Sequence, residues 1–152
     1  DRLSKDALAI APYSPFSRDV RAMFELYTGN HEHGYEQAKF ASRLGQASPL
    51  GHYVDASLVV GATLTGNHEE AIRHGREILA RRPSFLPVMR HMTASYASLG
   101  RIEDMTKLVE KIRHLDPKFG TPEMLSPNYG LPSERSRSLI TAALRNNQLF
   151  KE

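Results

Sequence analysis

Apolar and small side chains recur at helical spacing along most of the chain. Met89, Met92, Thr93 and Tyr96 fall at i, i+3, i+4 and i+7, which is one face of a helix. Leu99-Gly100 ends that helix, because glycine accepts the left-handed conformation common at helix C-termini. Ile102, Met105, Val109 and Ile112 then form the apolar face of a second helix. Asp116-Pro117 closes it where proline cannot continue the hydrogen-bond ladder. The stretch from His52 to Pro83 is laid out the same way. Leu58, Val59 and Ala62 predict the inner face of its first helix, Gly66-Asn67 the turn, and Ala71, Gly75 and Ile78 the lining of its second helix. Small residues at 71 and 75 predict a close helix crossing.

Upstream, Val20, Met23, Phe24 and Tyr27 predict an apolar stripe, with Tyr35, Ala38 and Ala41 on its mate and a turn over residues 29–33. Residues Arg2 to Ile10 read as a second helix without a first, ended by Pro12. Beyond Pro117 the pattern changes: Gly120, Pro122, Pro127, Gly130 and Pro132 predict an irregular connector. A last helix starts at Ser133, whose hydroxyl can cap free amides, with Glu134 in its first turn. Leu139, Ile140, Ala143 and Leu144 form its apolar face.

A longer period overlies these helices. Pro15, Pro49, Pro83 and Pro117 stand at steps of 34 residues, and Gly66 and Gly100 keep the same step. Gly29-Asn30-His31-Glu32 returns as Gly66-Asn67-His68-Glu69 at a step of 37, a three-residue difference in loop length. Thirty-four residues is the length of one tetratricopeptide (TPR) helix-turn-helix unit. The expected fold is therefore all-α, a TPR-like α-α superhelix or solenoid of eight or nine helices with a C-terminal capping helix. Its expected divisions are a partial repeat over 1–14, an irregular repeat over 15–50, repeats over 51–84 and 85–118, and a connector with capping helix over 119–152.

Ala80-Arg81-Arg82-Pro83-Ser84-Phe85, Ala94-Ser95-Tyr96-Ala97-Ser98-Leu99-Gly100-Arg101 and Leu115-Asp116-Pro117 carry a family likeness. Over about residues 8 to 150 the chain resembles the C-terminal tetratricopeptide region of bacterial class III adenylate/guanylate cyclases. Similar arrays follow winged-helix and TolB-like domains in bacterial transcription regulators. The ending Ala142-Ala143-Leu144-Arg145-Asn146-Asn147-Gln148-Leu149 is similar to the way such chains finish. The resemblance implies a regulatory or scaffolding region, with the catalytic aspartates, Asn and Arg of the cyclase in another domain, so none is carried over. The alternative it implies is the sensory tail of a transcription regulator.

With 40% hydrophobic and 24% charged residues the composition is that of a water-soluble domain. Zero Cys removes disulfides, thiol nucleophiles and thiolate zinc sites, and fits a reducing, cytoplasmic setting. The opening at Asp1 reads as that of an excised piece. No apolar run approaches the roughly 18 residues of a membrane span. A net charge of +3 with interleaved signs predicts no direct nucleic-acid contact.

Chemistry is sparse. His31 and His33, two apart, and His68 and His74, six apart, do not share a helix face, so no metal is expected. No nucleophile elbow and no phosphate-cradling loop is present, so neither a catalytic residue, a cofactor nor a small-molecule substrate is expected. The expected activity is partner binding, by a protein, a peptide or self-association. First helices line the concave side of this architecture, which points to Tyr53, Ser57, Val60, Leu64, Arg90, His91 and Ala94 as the groove. Arg73, Arg76, Arg81, Arg82 and Arg90, with His74 and His91, form the densest basic cluster and the expected docking patch for an acidic segment.

Overall fold

The computed structural model describes residues 1–46, 51–131 and 133–151; the helix break expected at Pro49 lies outside them. The chain is all-α. Among the described residues it forms α1 (Arg2–Ile10), α2 (Pro15–Thr28), α3 (His31–Gly45), α4 (Gly51–Leu64), α5 (His68–Arg81), α6 (Leu86–Ser98), α7 (Ile102–Leu115), a 3-10 turn at Pro122–Leu125, and α8 (Glu134–Asn146), with no strand. No helix among them is long and apolar enough to cross a membrane.

Three turns are built alike. Gly29, Gly66 and Gly100 have φ of +101°, +80° and +68°, the left-handed region that only glycine enters without strain. In each, the next amide reaches back over the turn: Asn30 to the Glu25 carbonyl at 2.9 Å, Asn67 to Ala62 at 2.8 Å, and Arg101 to Tyr96 at 2.9 Å. This is the bond that closes a Schellman helix end. It folds α2 onto α3, α4 onto α5 and α6 onto α7. Each pair also packs on the next, α3 on α4 and α5 on α6, while α2, α4 and α6 touch in sequence.

Small residues set the spacing. A Cβ on Gly61 of α4 would stand 2.7 Å from Tyr35 Cδ2 of α3, and one on Gly75 of α5 would stand 2.3 Å from Met92 Sδ of α6. Ala71 and Gly75 thus sit at the close crossing their size predicts, and Ala71 is fully buried. Met89, Met92, Thr93, Tyr96, Met105, Val109 and Ile112 are buried as the periodicity requires. Ile102 is not, being 39% exposed.

Two sequence readings are corrected. The apolar stripe Val20, Met23, Phe24 and Tyr27 is at most half-buried, and the buried residues of α2 are Ala22, Glu25 and Leu26. Glu25 deceives a hydropathy pattern because Arg21 and the Asn30 side chain, the latter at 2.8 Å, satisfy its carboxylate inside the fold. His31 and His33 do not lie in a turn; they occupy the first turn of α3.

The C-terminal segment is docked along its length. Phe119, Met124, Tyr129 and Leu131 are buried despite the Gly/Pro-rich sequence around them. Helix α8 begins as predicted, with Ser133 Oγ accepting from the Ser136 amide at 3.2 Å. Leu149 N–H bonds the Leu144 carbonyl at 2.8 Å, and Lys151 N–H bonds the Gly120 carbonyl at 2.7 Å. Arg113 also donates to the Leu149 carbonyl.

Candidate interaction surface

The residues expected to line a groove share one side of the molecule, and that side is occupied. Ser57, Val60 and Leu64 on α4, and Arg90, His91 and Ala94 on α6, are all buried; only Tyr53 is open, at 44% exposure. Ser57 is met by Asp19 of α2, and much of the rest is covered by the chain's own C-terminal segment. Helix α8 packs on α6, and Leu139 reaches past it to the cluster of Leu26, Val60 and Leu64, flanked by Met23 and Tyr27. Residues Ser133 to Ser138 face Tyr27 to His31 across a shared cleft, so α8 extends to the end of α2. Met23 and Tyr27, from the apolar stripe of α2, are half-buried against the same cluster.

Polar contacts fix α8 in place. His91 Nδ1 lies 2.7 Å from the Pro87 carbonyl and Nε2 2.9 Å from Ser136 Oγ. A carbonyl only accepts, so Nδ1 carries the proton, and Nε2 accepts from the Ser136 hydroxyl. Burial pushes the imidazole down to about 4, the Pro87 carbonyl partly opposing and the Arg90 charge adding to it. His91 is thus neutral at pH 7 and specific for a hydroxyl opposite.

The immediate neighbour of His91 in sequence, Arg90, binds the connector. Its Nη2 pairs with Asp116 Oδ2 at 2.7 Å, its Nη1 donates to the Gly130 carbonyl at 3.2 Å, and its guanidinium lies 4.7 Å from the Tyr129 ring centroid. The Tyr129 hydroxyl donates to the same Asp116 oxygen. Burial alone would raise the Asp116 carboxyl, but the Tyr129 hydroxyl and Arg90 outweigh it and hold it below the usual carboxylate range. Arg90 is therefore a ligand for the chain itself, not a free rim cation.

Two polar groups complete this side. The Ser95 hydroxyl lies 3.1 Å from Thr63 Oγ1 and 3.3 Å from His68 Nδ1, tying α4, α5 and α6 together at a fully buried point. Ser95 cannot serve as a nucleophile, because solvent does not reach it. Asp19 of α2 faces Ser57 and Asp55 of α4; burial raises its carboxyl to about 6, contact with Ser57 lowering it and Asp55 raising it. Its Oδ1 has no hydrogen-bond partner among the described residues.

The basic cluster divides: Arg73, His74 and Arg76 lie together on α5, while its other members are engaged elsewhere. Arg73 is tied to Glu70 at 2.6 Å and Glu77 at 3.2 Å, Arg82 lies 5.2 Å from the Tyr53 ring centroid, and Arg90 and His91 point inward. Among the described residues no group of three or more His, Asp or Glu is placed to hold a metal ion. Sequence reasoning missed Asp19, Asp116, Tyr129 and Ser136 as contributors. The available signal was Phe119, Met124, Tyr129 and Leu131, large apolar side chains in a Gly/Pro-rich connector, which mark a loop that docks. Ser136 carried none. Comparison with protein-family models, curated proteins and solved structures returns no match.

Proposed function

We propose that this chain is a non-catalytic protein-interaction module, a TPR-like stack of helix pairs that serves as the regulatory region of a nucleotide-cyclase-like protein. The repeated Schellman turns and the sequential packing of α2 to α7 support the stacking part of that reading. The likeness of residues 80–85, 94–101 and 115–117 to cyclase C-terminal regions supports the regulatory part.

One observation carries the interaction part: the first-helix side already holds an amphipathic helix. Leu139 fills an apolar pocket across two helix pairs, while Ser136 satisfies a buried imidazole. That combination of an apolar anchor and a matched polar contact is how helix-in-groove recognition is built. In this reading the groove is filled in the resting molecule, and a partner helix gains access by competing with α8.

A labelled peptide spanning residues 133–148 tests it. Ser136→Ala combined with Leu139→Ser loosens the resident helix, and the free peptide is expected to bind this variant while the wild-type chain excludes it. A folded variant that takes up no peptide would refute groove recognition. Metal-dependent cyclisation of ATP or GTP by the purified chain would refute the non-catalytic part.

A further inference from the structure

A second groove lies on the opposite side of α6, between the two second helices α5 and α7. Both pack on α6 and leave between them a cleft of about 300 Å³. Its floor is apolar: Met92 and Tyr96 of α6 form the base, with Leu79 of α5 and Leu108 of α7 as half-buried walls. The α8 segment takes no part in lining it.

The rim is cationic. Lys107 and Lys111 stand one helical turn apart on α7, and Arg76 faces them from α5. All three are exposed and have no ion-pair partner among the described residues. The neighbouring cations differ: Arg73 is neutralised by Glu70 and Glu77, and Arg101 by Asp104 at 2.5 Å. Asp104 is the one carboxylate on the rim, and that pairing cancels most of its field. Three unpaired cations around an apolar floor attract an anion that also carries something to bury.

We infer that this groove docks an acidic peptide segment, one apolar side chain seated over Met92 and Tyr96 and flanking carboxylates paired with Arg76, Lys107 and Lys111. The volume suits one or two side chains, at the low end of the range for small-molecule sites. The apolar floor favours a peptide over a nucleic acid, whose phosphates would leave that floor exposed to water. The site goes beyond the α8 face and does not depend on whether α8 can be displaced.

The test pans a displayed library of random twelve-residue peptides against the full chain. Recovered sequences are expected to carry Asp or Glu on both sides of a Leu, Phe or Met. Their binding, read by fluorescence anisotropy, should fall at least about tenfold in Lys107→Glu/Lys111→Glu and in Leu108→Ser, and weaken as salt screens the pairs. Arg135→Glu, on α8 and outside the cleft, should leave it unchanged. Recovery of neutral or basic sequences, or no enrichment, would overturn the proposal. So would undiminished binding by a charge-reversed variant with an unaltered melting curve, or tighter binding of a labelled oligothymidylate than of the best peptide.

Discussion

Ser136 Oγ lies 2.9 Å from His91 Nε2, joining residues 45 positions apart across the α6–α8 contact. The imidazole can accept this bond only while neutral. Its ordinary value of 6.5 is driven to about 4 in the fold, so the unfolded chain takes up a proton first as pH falls. Stability contributed by neutral His91 is full above about 6.5, erodes through the interval down to 4, and totals on the order of 3 kcal/mol. The melting temperature is expected to drop across that window. In His91→Gln, which keeps hydrogen-bonding capacity without titrating, the drop should be shallower; parallel curves for the two proteins would contradict the assignment.

Asp19 works in the opposite direction. Its carboxyl rises from 3.8 to about 6 on folding, so the folded chain holds the proton more tightly, and the buried anion is a cost above pH 6. Asp19→Asn is expected to stabilise the protein at pH 7 by about 1–3 kcal/mol, with the gain vanishing below pH 4. Denaturant melts at pH 7 and pH 3.5 decide it, and equal gains at both pH values would rule out titration as the cause.

Arg90→Glu is expected to unfold or severely destabilise the chain, by about 3–5 kcal/mol. The sequence alone places Arg90 in an open groove and a basic docking patch, where such a change would touch only binding. In the fold it would put a second carboxylate beside Asp116 and strip Gly130 and Tyr129 of their partner. A melting temperature within a degree or two of wild type would mean that the connector is not anchored there.

Packing yields a paired prediction. Gly61→Ala is expected to cost about 1–3 kcal/mol, because its Cβ meets both the ring and the Cα of Tyr35, and backbone cannot move aside as a side-chain tip can. Tyr96→Ala removes a side chain that is 6% exposed and should cost about 3–5 kcal/mol. Unchanged denaturation midpoints for both would show the helix register to be misassigned.

The helices were largely legible because their signals are local. Gly66 and Gly100 mark turns, Ser133 a cap, and the i, i+3, i+7 spacing of Met89, Met92 and Tyr96 a buried face. The face of α2 was not, since Glu25 is buried by partners on other turns and helices while Val20 stays open at 51%. The groove residues were read as open, yet His91 is covered by Ser136 of α8, Arg90 by the connector and Ser57 by Asp19 of α2. Nothing in the spacing of Leu139 says which of several apolar surfaces it will cover. Tertiary docking of a remote segment leaves little local trace, and residues such as Ser136 acquire meaning only from what they meet.

The packing of Leu139 on the cluster of Leu26, Val60 and Leu64 bears on how the molecule comes apart. In a row of helix pairs that touch only their neighbours, either end can fray while the rest persists. Here α8 binds the last first-helix, α6, through Ser136 and reaches the earliest pair through Leu139, with Lys151 pinned back on Gly120. The row is thereby strapped end to end. Loss of either terminal pair removes part of the seat of α8, so unfolding is expected as a single concerted transition, with amide exchange in α2 and α6 slowing and quickening together. Folding should show the reverse cost: local hairpins form early, and the strap, whose ends lie more than a hundred residues apart in sequence, closes last.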